Sequence, residues 1–253
     1  RGFTPASIRL FAERVGVSKA HQWIDMADLE RALRDDLDAT AARAMVVLDP
    51  IRVVIENYSE GQFELCSAPV HPHDEARGRR DFKFAREVFI EREDFMEVPS
   101  KGFFRLVPGG EVRLRHAFII KCERIEKDPA GNVTTIYATY DPATKSGTGG
   151  RNVKGAIHWV SKLDGIQAEV RLYDRLFNVE DPDSGEGDYK TYLNPTSLKK
   201  VRAWLEPSLA SAKAGESYQF ERNGYFTPDR VDSSAETLVF NRAVTLKDGW
   251  KPS

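Results

Sequence analysis

Residues 103–122 read FFRLVPGGEVRLRHAFIIKC, and this run sets the expected fold class. Val112, Leu114 and Ala117 with Ile119 read as core-facing positions. Arg113 and Arg115 fall two apart, so the period of a strand puts both guanidinium groups on one face. Arg105 lies just before Pro108-Gly109-Gly110, and a hairpin at that turn would return it beside the pair. Like charges opposed across strands destabilise, so three arginines on one face call for an anionic or flat partner lying over them. The other reading is a solvated strand face whose arginines pair with Glu111, Glu123 or Glu126. Charge alone does not choose between the two.

Around this run the chain reads as almost entirely β after Arg43. Short apolar runs at 45–48 and 51–55 are broken by Asp49-Pro50. Further expected strands cover 62–65, 82–90, 105–107, 112–124, 133–140, 155–160, 167–176, 217–222 and 237–245. Turn signals separate them at Asp128-Pro-Ala-Gly-Asn132, Ser146-Gly-Thr-Gly-Gly150 and Asp181-Pro-Asp-Ser-Gly-Glu-Gly187. Many short strands at this spacing indicate small barrels or sandwiches. Before Arg43 the pattern is helical. Thr4 followed by Pro5 is a cap with a first-turn proline, and Ile8, Phe11, Ala12 and Val15 repeat at helical spacing up to Gly16. Asp25 caps a second helix whose Met26, Leu29, Leu33 and Leu37 form one stripe, read as a packing face.

The 253 residues, 41% of them hydrophobic, suffice for one large or two to three small domains. No run approaches the roughly 18 apolar residues of a membrane span, and the N-terminal stretch lacks the pattern of a secretion signal. A cytosolic location and a monomer are therefore expected. Cys66 and Cys122 read as reduced core thiols. A net charge of −2 argues against indiscriminate nucleic-acid binding but leaves room for a local basic groove.

Catalytic and metal motifs are weak. His71-Pro72-His73 lies on an expected solvated loop with no further Cys or His close in sequence, so no metal site is expected. His158 reads as a strand residue packed beside Trp159, without a nucleophile or acid partner. Glu91, Glu93 and Asp94 read as surface charge. The Ser146 loop lacks the strand-to-helix context and GK[ST] ending of a phosphate cradle. What remains are Arg43, Arg105, Arg113, Arg115, Gln219 and Arg222 near strand ends, with Phe103, Phe104 and Phe220 as aromatic neighbours. Arginine and glutamine offer planar, two-pronged hydrogen bonding suited to the edges of splayed RNA bases.

In order along the chain, RGFTPASIRLFAERVGVSK, DMADLERALRDDLDATAARAMVVLDPIRVVIENY, EVRLRHAFIIKCERIEKDPAGNVTTIYATYD, VKGAIHWV, EVRLYDRLF, EPSL, YQFERNGYF and VFNRAV resemble the C-terminal half of bacterial-type glutaminyl-tRNA synthetases. The resemblance implies a mainly β fold: a helical connecting segment over 1–42, then a proximal barrel in two parts, 43–97 and 201–253, interrupted by a distal barrel over 98–200. It implies that Arg43, Gln219 and Arg222 enclose the central anticodon uridine, that Arg105 holds the third-position guanine, and that Arg113 and Arg115 contact the first position or its phosphate. Ser18, Lys19 and Asp25 resemble residues along the inside of the tRNA elbow. The implied partners are tRNA(Gln) and a catalytic domain of the same polypeptide. ATP and glutamine would bind that domain, whose motifs precede the point where this sequence starts, so this chain is expected to bind RNA without cofactor or catalysis. The related glutamyl-tRNA synthetase of archaeal and eukaryotic type and a barrel scaffold for protein contacts are the alternatives. Gly102, Asp38 and His73 stand where the family can carry amide side chains, and they are left outside the expected site.

Overall fold

Thr4 opens the first helix, α1 (Pro5–Val15): its hydroxyl accepts from the Ser7 amide while the Ser7 hydroxyl accepts from the Thr4 amide. The helix stops at Gly16, whose φ of 73° a side-chain-bearing residue adopts at a cost. Asp25 caps the second helix, α2 (Met26–Thr40), by accepting from the Ala27 amide at 2.8 Å. The structure is a computed structural model that describes residues 1–19, 22–184, 187–234 and 236–250. No helix among these is long and apolar enough to cross a membrane.

Sixteen strands follow among the described residues. They are β1 (Ala42–Ala44), β2 (Val46–Val47), β3 (Pro50–Ile55), β4 (Phe63–Pro69), β5 (Arg79–Ala85), β6 (Glu87–Glu91), β7 (Glu111–Leu114) and β8 (Ile119–Lys127). After them come β9 (Val133–Asp141), β10 (Ala156–Ile157), β11 (Val160–Ser161), β12 (Ile166–Tyr173), β13 (Leu198–Leu205), β14 (Tyr218–Phe220), β15 (Gly224–Pro228) and β16 (Val239–Thr245). The mainly β fold with an N-terminal helical hairpin is as expected.

The chain divides into two compact units, each built from separated segments. The first contains Arg1–Ala42, Glu169–Val201 and Ala212–Ser253. Its strands run in the order β14-β15-β16-β12-β13, with β15 antiparallel to both neighbours and β12 parallel to β16. The α2 stripe serves as a packing face: Leu33 and Leu37 are buried with Ala41, Tyr225, Ala243 and Val244. Met26, at the start of the stripe, is exposed.

The second unit contains Arg43–Ala168 and Arg202–Ser211. Its seven-stranded, barrel-like sheet runs β10-β7-β8-β9-β3-β6-β11. Val112, Leu114, Ala117 and Ile119 are all buried, as their positions predict. The core around them is aromatic, with Phe84 packed against Tyr58, Phe118, Tyr140 and Trp159 at ring separations of 5.2, 4.9, 5.7 and 5.6 Å. Cys66 and Cys122 are buried free thiols, and burial pushes the Cys66 thiol up to about 11.

Several expectations need correction. Strand pairing crosses the expected boundary at 97/98, and β13 runs through 200/201. β3 pairs with β6 on one side and with β9 on the other, so residues from 43–97 and 98–161 share one sheet. The parallel β3–β9 pairing, Val53 opposite Ile136, joins distant segments and leaves no local sequence signal. The segments Arg1–Ala42 and Glu169–Val201 of the first unit lie on either side of Arg43–Ala168 in sequence.

The expected strand 112–124 is two strands. The chain reverses between β7 and β8, with Leu114 N–H donating to Phe118 O at 2.9 Å and His116 at φ 61°. No glycine or proline marks that turn. Likewise 82–90 breaks at Arg86, and 155–160 splits into β10, parallel to β7, and β11, antiparallel to β6. Residues 105–107 form no strand; Leu106 makes a single bridge to Phe95. The hairpin expected to carry Arg105 back beside Arg113 is therefore absent, and β1, β13 and β15 are additions.

Candidate nucleic-acid interface

In the first unit the polar site is built on the β14–β15 hairpin. Gln219 and Tyr225 are directly opposed across the two strands, which places their side chains on one face. On the other face Phe220 stacks on Phe226 with ring centroids 4.1 Å apart, anchoring the hairpin in apolar contacts. Gln219 Nε2 donates to Tyr225 Oη at 2.9 Å, and Tyr225 Oη donates to Asp38 Oδ1 at 3.2 Å. Docking of α2 through Leu33 and Leu37 against Tyr225 brings Asp38 to the phenol.

Arg222 sits in the connection between β14 and β15 with φ 70°, a left-handed conformation uncommon for a side-chain-bearing residue. Such positions persist where the surrounding structure over-determines them, and they gather at ligand sites. Here the Asn223 amide donating to Phe220 O at 2.9 Å closes the turn. Gln219 and Arg222 thus belong to one hairpin. Ser18, Lys19 and Asp25 are exposed at the end of α1 and the start of α2, with Asp25 Oδ1 3.5 Å from Arg175 Nη1.

In the second unit Arg43 is buried on β1, its amide donating to Val70 O at 2.8 Å. Arg105 is half-buried. Its Nε lies 3.2 Å from Asp94 Oδ1, and its Nη1 donates to Glu93 O at 3.1 Å. The carboxylate is fully enclosed while the arginine side chain keeps 38% of its surface exposed. That geometry pins one edge of the guanidinium and leaves Nη2 outside these contacts. Asp94 was expected on the surface; it is buried, and Arg105 is held between it and Glu93, whose Oε1 lies 3.4 Å from Nη1.

Glu91 is buried as well, accepting from the amides of Leu48 at 2.8 Å and Asp49 at 2.9 Å and facing His158 Nε2 at 3.4 Å. Burial alone would raise its pKa, but the contact with His158 and the two amides outweigh it and hold the carboxyl below its ordinary value. His71, expected on a solvated loop, is buried, its Nδ1 accepting from the His73 amide at 3.3 Å. Among the described residues no group of three or more His, Cys, Asp or Glu is placed to hold a metal ion.

Arg113 is committed to backbone. Its Nη1 donates to Thr144 O at 2.7 Å and its Nη2 to Arg151 O at 3.0 Å, bracing the 144–151 loop. It pairs with none of the glutamates considered as alternative partners. Glu111 instead binds Arg151 at 2.6 Å, and Glu123 binds Lys121 at 3.2 Å. Arg115 follows the end of β7, and its carbonyl accepts from Trp159 Nε1 at 2.9 Å. Arg105 and Arg113 have different partners and form no shared cluster. Beside Arg105, Phe104 is 56% exposed with Lys154 Nζ 5.2 Å from its ring centre. An aromatic face open to solvent next to a half-free guanidinium can stack and edge-bind a turned-out base.

Two models of the family described as tRNA synthetases class I (E and Q), anti-codon binding domain, match residues 41–141 and 156–229. The chain belongs to this anticodon-binding family. Similar proteins include the glutamine–tRNA ligase of Cupriavidus metallidurans, 57% identical over 253 residues, which cover 99% of this chain and 44% of that protein. The glutamine–tRNA ligase of Ralstonia pickettii is 56% identical over 253 residues with the same coverage. That of Nitrosomonas europaea is 50% identical over 254 residues, covering 99% of this chain and 46% of the relative. The chain therefore spans less than half the length of these relatives. Tyr225 is not singled out in the sequence, Asp94 reads there as surface charge, and Asp38 stands outside the expected site; the burial of Tyr225 and Asp94 depends on tertiary packing, whereas Asp38 is exposed.

Proposed function

We propose that this chain reads the anticodon of tRNA(Gln) as part of a glutamine–tRNA ligase. The observation that carries the reading is the 57% identity to a glutamine–tRNA ligase across 99% of the chain. The central uridine is bound by Arg43, Gln219 and Arg222, and the third-position guanine by Arg105. Arg113 and Arg115 serve the first position, Arg113 through its charge because its Nη donors already hold backbone carbonyls. Ser18, Lys19 and Asp25 run along the tRNA elbow. Glutamine activation with ATP belongs to a catalytic domain of the same polypeptide, and the whole works as a monomer in the cytoplasm.

Selection is energetic. Turning bases out of the stack costs a few kcal/mol, and a pocket combining stacking with two-pronged hydrogen bonds returns about 1 to 3 kcal/mol per matched base. In the full enzyme that differential binding favours the active arrangement at the acceptor end. The test is the affinity of the chain for anticodon stem-loops. Loops carrying CUG or UUG should bind about tenfold or more tightly than loops altered at the central base, with affinity falling as salt rises. Equal affinity for all loops overturns the reading. Arg105→Ala should relax preference at the third base by about 1 to 3 kcal/mol, and unchanged discrimination there removes Arg105 from its role.

A further inference from the structure

Exposure alone says little about an aromatic ring; a ring held open on a fixed backbone, beside an arginine with a free edge, says more. Phe104 of the second unit is such a ring. Its backbone is clamped, because a Cβ placed on Gly155 would overlap Phe104 O, so only glycine lets the two segments meet. On either side the Phe103 amide donates to Ser100 O at 3.1 Å and the Leu106 amide to Asp94 O at 3.0 Å, with Leu106 fully buried. The residue before that glycine, Lys154, is exposed and carries its ammonium over the Phe104 ring, 5.2 Å from the centre. Attraction between the cation and the ring face holds the ring in place. Among the described residues no other aromatic ring meets Phe104, so its second face is left to solvent.

We propose that Phe104 is a stacking platform for the third anticodon base, supplying affinity irrespective of that base's identity, while Arg105 supplies the discrimination. This rests on the reading that the chain binds the anticodon with Arg105 at the third position. The division follows from the chemistry of the two neighbours. Every base has a π face, so a stack on Phe104 adds binding energy without telling one base from another. The guanidinium of Arg105, pinned on one side by Asp94 and Glu93, meets a base edge, where donors and acceptors differ between bases. A different side chain at position 104 would then weaken the complex and leave the same anticodon preferred.

The experiment measures the affinity of the full chain for anticodon stem-loops carrying CUG, its variants at the third position, and an abasic third position. The proteins are the unaltered chain, Phe104→Ala, Phe104→Leu, Phe104→Tyr and Arg105→Ala. Phe104→Ala should weaken every base-bearing loop by about tenfold, with the ratios among them unchanged and the abasic loop bound no more weakly than before. Phe104→Tyr keeps the ring and should keep the affinity. Phe104→Leu keeps apolar bulk without a π face and should fall with Phe104→Ala, a loss that a merely structural role would not produce. Because the ring is exposed, thermal unfolding should be unchanged in all three. Full affinity in Phe104→Ala, altered ratios at the third base, or equal weakening of the abasic loop each overturns the platform. If Phe104→Ala behaves as expected while Arg105→Ala leaves the ratios unchanged, the platform stands and the role of Arg105 falls. If the unaltered chain binds the abasic loop as tightly as CUG, no third base is held and the anticodon reading of this site falls with the platform.

Discussion

In the second unit Phe84 stands among four aromatic rings, whereas the first unit sets a smaller aromatic group, Phe220 with Phe226 and Phe240, beside a charge network centred on Arg171. There Arg171 reaches Glu169 at 2.6 Å, Asp232 at 2.6 Å and Asp229 at 3.4 Å. Asp229 also accepts from Asn241 Nδ2 and from the amides of Val231 and Asp232. The second unit also carries half-exposed pairs, such as Arg151 with Glu111 at 2.6 Å, and beside them a buried one, Arg80 with Glu206 at 3.0 Å, both nearly inaccessible. Stability in an aromatic core depends little on pH and salt, while a half-exposed charge network responds to both. The contrast suits the proposed roles. The second unit holds Arg105 against a buried carboxylate, and the first carries a hairpin on which Gln219 and Tyr225 are hydrogen-bonded.

The sharpest way to break this contrast is Phe84→Ala. Removing the ring should cost about 3 to 5 kcal/mol, read from denaturant unfolding followed through the second unit's Trp159; a loss under about 1 kcal/mol would show that the aromatic cluster is not what holds this unit. Next in size is Glu206→Gln. It leaves the Arg80 charge buried without its carboxylate and should cost about 3 kcal/mol, whereas the double change Arg80→Met with Glu206→Met should recover most of that. Equal losses in single and double variants would mean that packing, not charge, matters at this pair.

The smallest expected effect belongs to the first unit. Hydrogen bonds from Asn241 and the two amides pull the Asp229 carboxyl from 3.8 to about 2. Because folding lowers this pKa, the stabilisation is complete above the ordinary value and disappears as pH falls to about 2. Asp229→Asn should cost about 1 kcal/mol near neutral pH and flatten the stability profile between roughly pH 4 and 2. An unchanged acid profile would remove Asp229 as its source.

The helices were legible because their signals are local. Thr4-Pro5, Gly16 and Asp25 are caps and stops that act within one turn, and Leu33 and Leu37 declare their buried face by spacing. Strand breaks at Arg86 and at His116 were not legible, since neither carries a glycine or proline. The left-handed conformation of His116 is imposed by the β7–β8 pairing on both sides of it. The contact residues came from family likeness rather than from any spacing rule.

By itself the sequence determined the fold class, the two helices with their ends and the core face of residues 112–119. Tertiary structure decided which strands share a sheet, that the buried Asp94 joins Glu93 in holding Arg105, and that Tyr225 hydrogen-bonds both Gln219 and Asp38. Local propensity reaches only a few residues along the chain. Pairings such as Val53 with Ile136, or Tyr225 with Asp38, exist only once distant segments have closed their loops and buried the groups between them.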